Sequence, residues 1–194
     1  MGSTGSETVE LVEGATIRHL SGAVVIAALT AVLAQFSIPL PGGIPFSLQP
    51  FGVFFAGLLL GPLWGGFALG LYVLAGVAGA PVFSNATGGV GVIASPTGGF
   101  LLGFVAGAVV IGAVAHRRLS PRPVETLGLG WVAAGLLAGL APIYVIGIGW
   151  LSTVAGLTLV EATGSMAPFF VGDLLKITIT AAVVASSGEL LSRR

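Results

Sequence analysis

The stretch FGVFFAGLLLGPLWGGFALGLYVLAG, residues 51–76, carries no charged side chain and is interrupted only by Gly61-Pro62. A helix needs roughly 20 apolar residues to cross a bilayer core about 30 Å thick. The stretch therefore predicts either one long membrane crossing or two short ones joined by a tight turn. The choice between them sets the side of the membrane on which every later loop lies.

The composition of the chain is that of an integral membrane protein. Of its 194 residues, 55% are hydrophobic and 7% are charged, whereas about 25% of residues are charged in soluble domains. The mean hydropathy is +1.08. The formal net charge is zero, so the chain has no basic field that would attract nucleic acid. Cysteine is absent, which excludes disulfides and thiolate chemistry. His19 and His116 each lie beside an arginine at a predicted membrane edge, and we expect solvated histidines there rather than metal ligands.

Six apolar runs are candidates for membrane crossings. They cover residues 17–36, 49–61, 63–79, 97–115, 127–155 and 168–189. Lysine and arginine collect in cytoplasmic loops. Two crossings between residues 49 and 79 put all the arginines on the side of the N-terminus, namely Arg18, Arg117, Arg118, Arg122, Arg193 and Arg194. The charge pattern thus predicts an all-α integral membrane protein, a six-transmembrane-helix bundle in the cell membrane with both termini cytoplasmic.

Residues 1–16 are predicted to be a cytoplasmic tail, and residues 17–194 to be the six-helix membrane domain. The tail contains Glu7, Glu10 and Glu13 among small polar residues. A secretory signal peptide begins with a positively charged region instead, so we do not interpret the tail as one.

Three long loops fall on the outer side in this topology. They are residues 37–48, 80–96 and 156–167. A non-helical loop beside lipid must stand in water or fold over protein, because its backbone groups need partners. We therefore expect extracellular lids over a pocket that opens outward. The glycine-rich second loop is expected to dip back or to cover the cavity.

The stretch PFFVGDLLKITIT, residues 168–180, contains the only aspartate and the only lysine of the chain, Asp173 and Lys176. Either charge at a helix centre costs on the order of 3 kcal/mol, and such residues usually mark a substrate or ion path. Three residues apart, they share a helix face. The favoured interpretation is a ligand site in the outer half of the last helix, and the alternative is a structural ion pair.

Further polar and aromatic residues are predicted near the same level. Ser47 and Gln49 open the second span, and Asn85 and Thr87 lie in the second outer loop. The aromatic side chains placed to approach this region are Phe46, Phe83, Phe100, Tyr144 and Trp150. Together they indicate a small, mostly apolar ligand with hydrogen-bonding groups at one end.

Small residues recur at every fourth position in several spans. The first span carries Ala23, Ala27 and Ala31. Two further stripes are Gly57, Gly61 and Gly65, and Gly99, Gly103 and Gly107. Such stripes let helices approach closely. The alanine stripe could serve contacts within the bundle or dock a partner protein.

The chain lacks the GxxxxGK[ST] phosphate loop, the HExxH motif and the GxSxG elbow. It is therefore predicted not to be an enzyme and not to hydrolyse ATP by that route, so a transporter would need another source of energy. One alternative is a solitary ion-coupled transporter in which Asp173 and Lys176 titrate. A less favoured one is an intramembrane enzyme that uses Asp173 or Glu161 as acid or base.

Four motifs together resemble the BioY family of biotin transporters, in this order: IPFSLQPFGVFFAGLLLGPLWG, YVLAGVAGAPVFSNATGGVGVIASPTGGFLLGF, YVIGIGWL and GDLLK. The resemblance implies a six-helix S component of an energy-coupling-factor (ECF) transporter that binds biotin on its outer side. It implies that Asn85, Asp173 and Lys176 contact the ligand. Ser47 stands where the family more often has threonine, and Phe100 where tyrosine is frequent.

The resemblance also implies partners. They are a transmembrane coupling subunit and two ATP-binding subunits, with the alanine stripe as docking surface. No cofactor is expected, because only the partner subunits would use ATP. An S component for another vitamin is the alternative within the same class.

Overall fold

The computed structural model of the chain describes residues 4–40 and 44–192, and side chains within residues 14–40 and 44–186. The helices are α1 Thr4–Gln35, α2 Gln49–Val77, α3 Val90–Ile93, α4 Gly98–His116, α5 Leu129–Ala155, α6 Leu159–Ser165 and α7 Ala167–Ser192. Strands β1 Ser37–Ile38 and β2 Phe46–Ser47 form an antiparallel hairpin. Two 3₁₀ turns lie at Ser84–Ala86 and Val124–Thr126.

Within the described residues, five helices are long and apolar enough to cross a membrane: α1 from Gly14 onward, α2, α4, α5 and α7. The prediction of a mostly helical membrane protein is confirmed, although the chain also contains the short hairpin β1–β2. The predicted count of six crossings is not confirmed, because residues 49–61 and 63–79 lie in one element, α2, whose two helical arms are joined across the non-helical Gly61. The first helix begins at Thr4 rather than at residue 17, so the described part of the predicted tail is helical. No proline interrupts it, and single glycines are tolerated in a helix.

Helix α2 folds back on itself at the Gly61-Pro62 step. Gly61 has φ 72° and ψ −173°, outside the helical region, and Pro62 has no N–H with which to continue the helical hydrogen bonds. The Gln49 Nε2 lies 2.6 Å from the Tyr72 hydroxyl, although 23 residues of straight helix would separate the two by about 35 Å. The two arms of α2 therefore run antiparallel, with the tight turn that the two-crossing interpretation requires.

His116 lies where the turn of α2 meets the end of α4, and the expectation of a solvated side chain is wrong. The residue is 1% exposed. Its Nε2 lies 3.2 Å from the Gly57 carbonyl oxygen and 3.1 Å from that of Leu58. Its Nδ1 accepts a hydrogen bond from the Arg122 backbone N–H at 2.9 Å. Because Nδ1 accepts, Nε2 carries the proton and donates. The Leu58 carbonyl needs this donor, since Pro62 cannot supply one.

Glycines bring neighbouring helices into close contact, as their spacing predicts. A Cβ at Gly103 of α4 would lie 2.8 Å from the Ile143 Cα in α5. One at Gly57 of α2 would lie 2.8 Å from the Ala108 carbonyl oxygen in α4. A side chain at either position would push the helices apart. Helices α2, α4 and α5 therefore form the tightly packed centre of the bundle.

The alanine stripe of α1 faces the bundle. Ala23 is fully buried, and Ala27 and Ala31 are half-buried against the core. The exposed face of α1 carries Val24 and Val32 instead. The burial of Ala23 assigns that residue to helix packing, whereas Ala27 and Ala31 are partly exposed, and docking of a partner through them stays a prediction.

The two ends of the bundle differ in charge. One end holds the turn of α2 and residues 117–128, and Gly61 packs there against Pro121. His19 stacks on Trp64 at the same end, with 5.5 Å between ring centroids. The described arginines gather at this end: Arg18, Arg117, Arg118 and Arg122. Arg193 and Arg194 lie outside the described residues. The three predicted outer loops meet at the opposite end.

Candidate functional site

A cavity of about 330 Å³ opens at the end of the bundle away from the arginines. Its size lies in the range of roughly 300–1,000 Å³ that is usual for small-molecule sites. The wall combines the outer loops with parts of α2, α4, α5 and α7. Its polar described residues are Ser47, Gln49, Ser84, Asn85, Thr87, Ser95, Thr97, Tyr144, Asp173 and Lys176. Much of the remaining wall is apolar and aromatic.

Asp173 and Lys176 form a buried ion pair in this wall. The Lys176 Nζ lies 2.8 Å from the Asp173 Oδ1, and both side chains are less than a tenth exposed. The other carboxylate oxygen accepts a hydrogen bond from the Tyr144 hydroxyl at 2.9 Å. A spacing of three residues places the pair on one face of α7, as predicted. An ammonium has three N–H donors, so Lys176 retains donors for a bound molecule.

Gln49 is the centre of a second polar group, at the start of α2. Its Oε1 accepts hydrogen bonds from the hydroxyls of Ser47 and Ser84, both at 2.8 Å. Its Nε2 donates to the Tyr72 hydroxyl, which in turn donates to the Val82 carbonyl at 3.1 Å. A carboxamide that is buried in apolar surroundings requires such hydrogen-bond partners. The network fixes the orientation of the carboxamide and ties both arms of α2 to the second loop.

Asn85 lies at the rim of the cavity in a tight turn. Its φ is 59°, in the left-handed region that asparagine tolerates better than most residues. A bridge between Phe83 and Thr87 closes the turn. The Asn85 Oδ1 accepts a hydrogen bond from the Ser37 hydroxyl at 3.1 Å, which connects this turn to the hairpin. Asn85 is exposed, so its amide can meet a ligand that enters from this side.

Aromatic side chains supply much of the apolar wall. Three of the five that the sequence placed here line the cavity, namely Phe83, Phe100 and Tyr144. Phe46 lies behind the wall instead, with its ring centre 4.3 Å from the Lys176 Nζ. Trp150 donates its Nε1–H to the Ser95 carbonyl at 3.1 Å, which fixes the second loop to α5.

Described residues of all three loops line the cavity. The first loop contains strands β1 and β2, and the second holds a 3₁₀ turn and α3. The third contains α6, whose N-terminus carries a capping box. Its Thr158 hydroxyl and backbone N–H both donate to the Glu161 carboxylate, which lowers the pKa of that carboxyl below its usual value. That the three loops move as lids remains a prediction.

Sequence reasoning missed several residues of the site. They are Tyr72, Ser84, Met166 and Phe169. Ser84 could have been found from its position beside Asn85 in a polar turn. Tyr72 could not, because it reaches Gln49 only through the folding back of α2.

The cavity wall offers both hydrogen-bond donors and hydrogen-bond acceptors within a small volume. Asp173 accepts, Lys176 donates, and the amide of Asn85 can do either. This arrangement suits a small ligand that carries donors and acceptors on an otherwise apolar frame.

Comparisons with known proteins identify the family of the chain. A family model described as the BioY family matches residues 6–193. The biotin transporter BioY of Thermotoga maritima is 38% identical over 86% of this chain and 94% of its own length. That of Rhodobacter capsulatus is 39% identical over 79% of this chain and 83% of its own. The fold is similar to the crystal structure of the S-component for biotin from an ECF-type ABC transporter, with a TM-score of 0.76, 24% identity and coverage of 94% and 93% of the two chains. Because the family model spans nearly the whole sequence, and relatives above 30% identity match over most of their own length, the chain belongs to the BioY family.

Proposed function

We propose that this protein captures biotin as the membrane-embedded S component of an ECF transporter and delivers it inward. The observation that carries the proposal is the buried pair of Asp173 and Lys176 in the wall of a cavity of about 330 Å³. Charges at this depth are expensive and usually functional. A small polar head group that hydrogen-bonds to both would explain why an apolar bundle retains them. The names of its relatives point to biotin.

Biotin has the chemistry that the wall can recognise. Its ureido ring offers two N–H donors and one carbonyl, and its aliphatic chain ends in a carboxylate. Asp173 would accept from the ureido N–H groups, and Asn85 suits either ureido group. Lys176 would donate to the ureido carbonyl or to the carboxylate. The apolar ring system and chain would pack against Phe83 and neighbouring aliphatic side chains, with Tyr144 orienting Asp173.

We further propose that the two arms of α2 cross the membrane separately, which gives six crossings. The arginine-rich end then lies in the cytoplasm with both termini, in accord with the positive-inside rule. The cavity opens outward in the cell membrane, and the three loops close over it as extracellular lids.

The chain itself is a transport protein and not an enzyme, and it contains no phosphate loop. We propose that a transmembrane coupling subunit and two ATP-binding subunits supply the energy. The exposed face of α1 carries Val24 and Val32, and Ala27 and Ala31 at its border are partly exposed. This side of α1 is the proposed docking surface for the coupling subunit, whereas the buried Ala23 does not contribute to it.

The test is a ligand titration of the purified protein in detergent with biotin, thiamine and riboflavin. We expect biotin to bind and the other two vitamins not to bind. Desthiobiotin, which keeps the ureido group but lacks the thioether ring, should retain much of the affinity if the polar head dominates recognition. Equal binding of the three vitamins, or binding of another vitamin alone, would contradict the proposal.

Energy coupling needs a separate measurement. Biotin uptake is followed in cells that express the protein with and without the coupling and ATP-binding subunits. We expect uptake that stops on ATP depletion and persists when the proton gradient is collapsed. The reverse pattern would indicate a solitary ion-coupled transporter.

A further inference from the structure

The ammonium of Lys176 lies between a carboxylate and an aromatic ring. Its Nζ is 2.8 Å from the Asp173 Oδ1 and 4.3 Å from the centre of the Phe46 ring. The lysine side chain is 6% exposed, so water contributes little to its solvation. A desolvated cation over an aromatic face is attracted by the quadrupole of the ring. The ring is therefore an electrostatic partner of Lys176 as well as a packing neighbour.

The Phe46 ring is held in place by α7 itself. Gly172 lies four residues before Lys176 on the same helix face. The ring occupies the space that a Cβ on Gly172 would need. Phe169 packs beside the ring, with 5.9 Å between the two centroids. The absence of a side chain at Gly172 is what lets the ring reach the ammonium.

The hairpin explains why Phe46 lies behind the cavity while its neighbour lines it. Successive residues of a strand point to opposite faces. Ser47 of β2 is in the cavity wall and bonds to Gln49. Phe46 therefore points the other way, toward α7. Its partner in β1 is Ile38, so the pairing of the hairpin sets the position of the ring.

We propose that Phe46 is a positioning residue that acts on the ligand through Lys176. The ring covers one side of the ammonium and Asp173 holds another, so the remaining N–H groups are directed into the cavity. The effect on ligand affinity rests on the proposed biotin-binding function. The contact between the ring and the ammonium is a property of the empty protein and can be tested without biotin.

The first test measures the contact in the ligand-free protein. Phe46 is replaced by phenylalanine with one, two or three fluorines, which removes the quadrupole in steps with little change of shape, and by cyclohexylalanine, which has no π-system. Each replacement is made with Lys176 and in the Lys176→Met background. We expect the unfolding midpoint to fall stepwise, by on the order of 4–8 °C in total, only where Lys176 is present. Equal falls in both backgrounds would mean that the ring only packs, and would overturn the proposal.

The second test titrates the same proteins with biotin. We expect the dissociation constant to rise with each fluorine, because the ammonium is no longer held in its binding position. The rise should reach at most roughly 30-fold with cyclohexylalanine, since about 2 kcal/mol is what the whole contact can supply. A flat series in a protein that binds biotin normally would overturn the positioning role and leave the proposed function intact. An unaltered chain that fails to bind biotin would overturn the proposed function, while the unfolding series still decides whether the ring acts on Lys176.

Gly172→Ala tests the contact between the Phe46 ring and Lys176 by a change in α7. The added methyl displaces the ring, although alanine favours the helix more than glycine does. We expect biotin to bind roughly 10-fold more weakly or worse. The matched control is Gly70→Ala in α2, where a Cβ meets no atom within 4 Å, and it should bind biotin like the unaltered chain. Native affinity in the Gly172→Ala protein would overturn the proposal.

Discussion

Neutralising the ion pair of α7 separates its roles in recognition and in stability. Lys176→Met leaves a buried carboxylate without its cation, and Asp173→Asn leaves a buried ammonium without its anion. Both side chains are less than a tenth exposed. Removing one partner of a buried pair costs about 3–5 kcal/mol of unfolding free energy. Each single variant should lose stability on that scale.

The double variant should be more stable than either single variant. It buries no charge, and the oxygen of the introduced carboxamide can still accept a hydrogen bond from Tyr144. What remains is an amide group without a full set of partners, which costs about 1–3 kcal/mol. Binding should behave differently, because hydrogen bonds to charged groups contribute about 1.5–3 kcal/mol each. With two of them lost, we expect biotin affinity to fall at least about 100-fold in the double variant.

The assay combines denaturant unfolding in detergent with a biotin titration of the same preparations. Thr178→Val is the matched control, because Thr178 is exposed on α7 and, among the residues that the structure describes, bonds only to the Leu174 carbonyl of its own helix. It should leave both quantities unchanged. A double variant that binds biotin like the unaltered protein would refute the ligand-site reasoning and leave the pair a purely structural one.

Three further outcomes follow from the fold. His116→Phe removes the N–H that donates to the Gly57 and Leu58 carbonyls at the turn of α2. It should lower the unfolding free energy by about 1–3 kcal/mol without changing biotin affinity. Unchanged stability would contradict this role of His116. Gly103→Ala should destabilise the bundle by about 1–3 kcal/mol, because the added Cβ meets the backbone of α5. The control Gly70→Ala, whose Cβ meets no atom within 4 Å, should not destabilise it. Equal unfolding midpoints of the two variants would contradict the close packing of α4 on α5. Hydrogen bonds from Thr158 lower the pKa of the Glu161 carboxyl, so the ionised carboxylate stabilises α6. This stabilisation is fully present above the usual pKa of about 4.3 and is lost as pH falls through the lowered pKa. Hydrogen-exchange protection of α6 should therefore fall over that acid range in the unaltered protein and stay flat in Glu161→Gln, and the same profile in both would refute the assignment.

The sequence by itself determined the membrane class, the positions of helices α4 and α5 and the adjacency of the charged pair. Residues 97–115 and 127–155 were predicted as spans, and the structure has helices at Gly98–His116 and Leu129–Ala155. Length and apolarity suffice for this, because a bilayer requires a minimum run of apolar residues. Asp173 and Lys176 meet because helical spacing alone brings them together. The turn at Gly61-Pro62 was also visible, since glycine and proline act on the backbone locally.

Only the tertiary structure decided which face of each element points inward. Ala23 faces the bundle, and His116 is buried rather than solvated. Phe46 contacts Lys176 with its ring instead of lining the cavity, and Tyr72 reaches Gln49 because α2 folds back on itself. In a soluble helix, a polar face would have revealed the orientation. Here the lipid is as apolar as the core, so hydrophobicity does not distinguish the two faces, and close packing of the helices sets the orientation instead.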